Sequence, residues 1–391
     1  MMRAVLASPR LRAFLAAALA CLALVVPAVA AAAQPAGPAA ERNLRAALDR
    51  LVRMPGGPPG VAVSLRDGSD WRFLTAGVGN LETGARWRPN DHMRIASVAK
   101  AFSGATALSL VAAGRLSLSD RIVDLLPWLP PTWNQVTVAQ ALQHTSGLPD
   151  YSEALGFGEV FAENLHAYIK PRKIVEFVTS DPLEFEPGSR YHYSNTDNIV
   201  IGLIAARVGD STYSQVLRQR VLGPLRMPST SLPVGFRLPA PHVEGYQLAP
   251  PAQPANVTSL LSMSGAWASG GIQSTVADLN RFIRGYVGRS LFGAAVQRQQ
   301  LRFVRGHSEP PGPGVNSAGL GIFRYRTACG TFYGHTGNLP GFTQFAAASL
   351  DGRRSVTVSV NARVVPTEDS AAVRTAFKAL RHIGALAICA V

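Results

Sequence analysis

The chain has 391 residues, 16% of them charged and 47% hydrophobic, with a net charge of +14. That composition can bury a large core and excludes a disordered polymer. The arginines are scattered and not gathered in a stripe, which argues against nucleic acid as a partner; the positive charge suits an anionic cell wall or membrane surface.

Arg3, Arg10 and Arg12 precede an apolar run from Ala13 to Val29, and Ala28-Val29-Ala30 and Ala31-Ala32-Ala33 offer cleavage sites. Residues 1–33 therefore read as a signal peptide of a secreted protein. An uncleaved membrane anchor is the alternative, because Ala13 to Ala33 is just long enough to span. Cleavage takes away three arginines and leaves a charge of about +11. Residues 34–40 read as a disordered stub.

Glu41 to Arg53 has helical spacing, with Leu44, Leu48 and Leu51 on one face. Gly60 to Leu65 and Trp71 to Val78 read as strands around the turn Arg66-Asp67-Gly68-Ser69. His92 to Ala96 is a short strand leading into a helix from Ser97 to Gly114. Leu116 to Trp128 reads as a helical segment broken by prolines. Helices follow at Val136 to His144, Lys173 to Thr179, Asn198 to Val208 and Val276 to Gly288. Pro233 to Ala255 is a proline-rich excursion. Gly319 to Tyr325, Phe332 to His335, Thr343 to Ser349 and Ser355 to Asn361 read as strands, and Glu368 to Leu386 as a terminal helix. The fold class expected is α/β in the α+β sense. One antiparallel sheet is flanked by helices and built from both chain ends, residues 41–115 and 266–391, with a mainly helical lobe inserted over residues 116–265.

Ser97-Val98-Ala99-Lys100 is the one Ser-x-x-Lys in the sequence. Three residues apart on a helix, the hydroxyl and the amine face the same way. The chain has four lysines against a majority of arginines, and arginine could not serve as a base. A helix-capping serine beside an exposed lysine is the plainer alternative for the motif alone. Tyr193 and Asn195 flank a single residue, so an extended loop points both to one side; a phenol can relay protons and a carboxamide can orient a lysine. His335-Thr336-Gly337 ends a strand with a glycine that leaves room for substrate. Thr336 offers a hydroxyl to a carboxylate, and the N–H near Asn338 offers an oxyanion donor. Cys329 and Cys389 either pair in an oxidising compartment or stay as free thiols. There is no Gly-x-Ser-x-Gly elbow and no metal-binding histidine spacing; no metal and no cofactor are expected.

Together, Ser-x-x-Lys, Tyr-x-Asn and His-Thr-Gly in this order resemble the serine penicillin-recognising enzymes, and within them the class C β-lactamase and D-alanyl-D-alanine carboxypeptidase family. His144-Thr145-Ser146-Gly147-Leu148 and Gly270-Gly271-Ile272-Gln273-Ser274-Thr275 agree, and the resemblance covers about residues 40 to 385. It implies Ser97 as acylated nucleophile, Lys100 as its partner and Tyr193 as general base or acid. It further implies Asn195, His335, Thr336, Gly337 and Asn338 as substrate-binding residues, and a Cys329–Cys389 disulfide. Asn338 stands where the peptidase branch commonly has a second threonine for the substrate carboxylate; Arg324 is the substitute expected here, or else a surface arginine. The function implied is a secreted serine D-Ala-D-Ala carboxypeptidase acting as a monomer on cell-wall peptides and binding β-lactams. An esterase or β-lactamase on the same scaffold is the alternative, and a catalytically silent wall-binding or sensor domain the third.

Overall fold

The computed structural model describes residues 37–391; the expected signal peptide, and the first residues of the expected stub, lie outside the described residues. α1 (Pro38–Arg53) opens on a proline, whose fixed φ suits a first helical turn. Residues 38–40 are therefore helical and not part of a stub. β1 (Gly60–Asp67) and β2 (Asp70–Gly77) form a hairpin around Gly68, at φ 56°. β3 (His92–Arg94) passes through one 3-10 turn, Ala96–Val98, into α2 (Ala99–Ala112).

The middle of the chain is helix and loop. It holds α3 (Ile122–Leu125), α4 (Val138–Gln143), α5 (Leu155–Glu163), α6 (Pro171–Glu176), α7 (Asn195–Gly209) and α8 (Tyr213–Leu217). The two-residue strands β4 (Tyr246–Gln247) and β5 (Ala255–Asn256) pair with each other, and α9 (Trp267–Gly270) follows. β6 (Gln273–Thr275) pairs with β3, and its Thr275 side chain caps α10 (Val276–Val287). After α11 (Ala294–Gln300) come β7 (Val304–Arg305), β8 (Val315–Gly319), β9 (Ile322–Thr327), β10 (Gly330–Leu339), β11 (Phe342–Ala348), β12 (Arg354–Val360) and α12 (Ala371–Cys389).

Eight strands form one antiparallel sheet in the order β2-β1-β12-β11-β10-β9-β8-β7. β1 from the start of the described chain lies against β12 near its end, with Val61 opposite Val360 and Val63 opposite Val358. Helices cover both faces, which is why these strands are apolar on both sides. Val61, Val63, Phe345 and Val358 meet Leu44 and Leu48 of α1 and Phe377 and Ile383 of α12. On the opposite face Ala62, Phe342 and Ala346 share a core with Phe282 and Ile283 of α10 and Phe102 of α2.

Three expectations change in detail. Gly319 to Tyr325 is not one strand: β8 ends at Gly319, and the chain turns at Leu320-Gly321, with Gly321 at φ 63°. The turn is set by close approach, since a Cβ on Gly321 would come within 2.8 Å of the Gly104 Cα in α2. Leu116 to Trp128 holds only the single turn α3, because Ile122 N–H donates to Val136 O at 3.0 Å and Arg121 bridges Thr137, which keeps the approach extended. The strand expected over Phe332 to His335 runs for ten residues, through Leu339.

Candidate active site

β3 and β6 deliver the chain to a sharp bend at Ala96, whose φ of 51° lies in the left-handed region that an alanine seldom occupies. Ser97 follows as the middle residue of the 3-10 turn and stays partly exposed, whereas Lys100, one turn on in α2, is fully buried. The Lys100 amine is the hub of the site. Nζ reaches Ser97 Oγ at 3.1 Å, Asn195 Oδ1 at 2.7 Å and the Ser269 carbonyl at 2.8 Å. It also sits 4.9 Å from the centre of the Tyr193 ring. Burial pushes its pKa from 10.5 down to about 7, against the partial support of Asp150, Glu309 and Asp197. An amine that is neutral in a large fraction of molecules near pH 7 can take a proton from a serine.

Tyr193 is buried beside Ser97. Burial drives its pKa well above 10, so the phenol holds its proton at rest. Asn195 opens α7 and is clamped from the far side: Asp150 Oδ2 accepts from its backbone N–H at 2.9 Å and from Nδ2 at 2.8 Å. With Nδ2 committed to Asp150, Oδ1 is left to accept from Lys100.

Under Tyr193 lies a second buried pair, His144 Nδ1 and Asp197 Oδ2 at 2.8 Å. Ser194 N–H also points at Nδ1, at 3.4 Å, which makes that nitrogen an acceptor. Burial lowers the imidazole pKa to about 3 and raises that of the Asp197 carboxyl. Burial thus works against charge on both partners.

The opposite wall is β10. β11 pairs with it through Leu339, but β9 pairs only as far as Gly334. The edge from His335 to Leu339 is therefore unpaired on the β9 side, and Gly337 lies on the nucleophile's backbone. A Cβ there would fall 2.7 Å from Ser97 N and 2.8 Å from Ile95 O. Gln344, opposite Gly337 on β11, ties the sheet to the bend by donating to Arg94 O at 3.0 Å.

Ser97, Lys100, Tyr193, Asn195 and Gly337 are thus brought together. The other expected site residues are placed differently. His335 is buried against the Phe323 ring at 4.9 Å, bonds the Thr336 carbonyl of its own strand, and is held neutral by burial, with a pKa of about 3. Thr336 donates its hydroxyl to Pro310 O. The Asn338 carboxamide oxygen accepts from Arg363 Nε at 3.3 Å. Arg324 is not in the site: it sits opposite Tyr333, five residues back along β10 from Asn338, bonds Ser317 Oγ at 3.0 Å and stacks on Phe303. An open concavity of about 900 Å³ beside Arg115, Ser117 and Arg302 lies at the far end of α2 and gathers no nucleophile with a base.

The sequence motif of the Beta-lactamase family matches residues 44–381. The chain belongs to the Beta-lactamase family. Its relatives in that family include penicillin-binding protein 4* of Bacillus subtilis, 24% identical over 76% of this chain and 65% of that protein. The protein flp of Staphylococcus aureus is 30% identical over 41% of this chain and 32% of that protein; the chain thus spans less than two thirds of the length of either relative. Among solved structures, a D-stereospecific amidohydrolase from Streptomyces sp. superposes with TM-score 0.72 and 28% identity, over 85% of this chain and 96% of that one. D-amino acid amidase from Ochrobactrum anthropi SV3 shares the fold, with TM-score 0.76 and 24% identity over 88% and 97%. Membership and geometry together place the serine, lysine and tyrosine on the scaffold of the β-lactamase and penicillin-binding group.

Two residues escaped the sequence reading. Asp150 follows one stretch seen as a family marker and Ser269 precedes the other, but a lone acidic loop residue and a backbone carbonyl carry no pattern of their own. Replacing Asp150 with alanine frees Asn195 to rotate and removes the carboxylate that most supports the Lys100 charge. Steady-state kinetics with a short-chain nitrophenyl ester are expected to show kcat lower by about 10–100-fold, with the acid limb of the pH profile moved to lower pH.

Proposed function

We propose that the protein is an exported, monomeric serine hydrolase that acylates Ser97 with the carbonyl of a D-amino-acid amide, peptide or ester, and that β-lactams acylate the same hydroxyl. The observation that carries this is the buried Lys100 amine, bonded at once to Ser97, Asn195 and Ser269 and neutral in large part near pH 7. Lys100 takes the Ser97 proton as Oγ bonds to the carbonyl carbon, and the backbone N–H groups at Ser97 and Asn338 receive the oxyanion. The carbonyl–nitrogen bond then breaks; Tyr193 hands its proton to the departing nitrogen and recovers one from the Lys100 ammonium. Water enters by the reverse route and releases the acid.

D-configured substrates are favoured because the Streptomyces relative is named for D-stereospecific amide hydrolysis. A D-Ala-D-Ala carboxypeptidase on cell-wall peptides is the second reading, supported by the penicillin-binding relative in Bacillus subtilis. Export is supported by the leader-like residues 1–33 and by Cys329 and Cys389, whose Sγ atoms stand at bonding distance with Cα atoms 5.1 Å apart. Intact-protein mass spectrometry after incubation with penicillin tests the central claim. The wild type is expected to gain one penicilloyl mass on the peptide containing Ser97, and Ser97→Ala none; equal labelling of both, or of neither, refutes it.

A further inference from the structure

The segment His307–Pro310 crosses the mouth of this site. It is pinned at one end by Tyr191, whose hydroxyl donates to His307 O, and at the other by Thr336, whose hydroxyl donates to Pro310 O. These anchors stand two residues from Tyr193 and one from Gly337, on the two walls of the cleft. Between them Ser308 and Pro310 are buried, with Ser308 Oγ 3.0 Å from Tyr325 OH, while Glu309 is exposed. Pinned on both sides with its neighbours turned in, Glu309 stands over the opening. Among the described residues no group donates a hydrogen bond to its carboxylate; partial burial raises its pKa, and its charge acts on Lys100, Tyr193, His307 and His192.

The cations near the opening are already engaged: Arg363, which donates to Asn338 Oδ1, is paired with Glu368 at 2.9 Å. His144 and His335 are neutral, Lys100 is neutral in large part near pH 7, and Arg324 is held on Ser317 and Phe303. The Thr336 hydroxyl, expected to meet a substrate carboxylate, is spent on Pro310. A chain that is basic as a whole thus presents an acidic group at its reaction centre, where a carboxylate would meet repulsion and an ammonium attraction.

We infer that Glu309 is a specificity-determining residue that selects substrates bearing an ammonium group near the scissile bond and rejects those ending in a carboxylate. This rests on the proposed acyl transfer at Ser97. The substrate class it defines is D-amino-acid amides and amino-terminal D-peptides with a free amine, in preference to peptides with a free D-Ala carboxylate.

The test reads ratios, so that any general loss of activity cancels. Kcat/KM is measured for D-Ala p-nitroanilide against its N-acetyl form, and for an acyl-D-Ala-D-Ala peptide against its C-terminal amide. In the wild type the free amine and the amide are each expected to be preferred by about tenfold or more. Glu309→Gln should bring both ratios towards one, and Glu309→Lys should invert them. Wild-type ratios near one, or ratios that stay put in both variants, overturn the inference while penicillin labelling of Ser97 stands. Absence of any Ser97 adduct overturns the acyl-transfer reading, and this inference falls with it.

Discussion

Lys100→Met is expected to lower kcat/KM for the nitrophenyl ester by about 10³-fold, within the range a general base contributes, and to change stability in a pH-dependent way. The methionine keeps length and volume but cannot take the Ser97 proton. On stability the sign follows from the depressed pKa. The lysine amine falls from 10.5 to about 7 on folding because burial disfavours its charged form. At pH 6 it is charged in both states and the fold bears the whole penalty, about 5 kcal/mol. As pH rises from about 7 towards 10.5 the unfolded chain still binds that proton while the folded one does not, and the penalty disappears. Methionine removes it at every pH but leaves the acceptors on Asn195 and Ser269 without a donor, a cost that does not vary with pH. Calorimetry should therefore find the variant's thermal midpoint, relative to wild type, several degrees more favourable at pH 6 than at pH 9. Wild-type kcat/KM should rise about tenfold per pH unit up to about pH 7 and then level.

The second large effect is expected at Gly337. Alanine there places a methyl 2.7 Å from Ser97 N, 2.8 Å from Ile95 O and 2.9 Å from Val98 N. All three are backbone atoms on the bend that carries the nucleophile, so no rotamer change relieves the overlap. Either β10 retreats or the bend does, and a displacement of about 1 Å costs on the order of 10²-fold in rate. Gly337→Ala should slow penicillin acylation by about 10²–10³-fold, with a stability loss of about 1–3 kcal/mol. Gly235→Ala is the control, since nothing lies within 4 Å of a methyl at that position. Equal acylation rates for the two variants would remove Gly337 from the oxyanion wall.

How much of this was legible beforehand differs by element. The strands at both ends announced themselves, because β1 and β12 are short β-branched runs between turn residues and α12 carries a long helical stripe. Ser97 and Lys100 were legible because three-residue spacing on a helix survives any tertiary detail. The break at Gly321 was hidden, since the reason for it is Gly104 on a distant helix. Side-chain aim was hidden too: Thr336 and Asn338 lie in the expected motif, but Pro310 and Arg363 claim them first. Arg324 looked available because a sequence does not reveal that Ser317 and Phe303 flank it. Glu309 had no motif to mark it; its place follows from two hydroxyls far apart in the chain that happen to hold the same four residues.

The hydrogen-bonded pairing of β1 with β12 has a consequence for when the enzyme can first work. Its hydroxyl and amine are synthesised in the first third of the chain, but the glycine strand that closes over them arrives some 240 residues later, counting from Ser97 to Gly337. A nascent or truncated polypeptide that stops short of β10 holds a serine and a lysine with nothing to receive an oxyanion. Hydrolysis is thereby withheld until the sheet has been completed from its tail, and the slow search expected of such distant partners sets the earliest moment of activity.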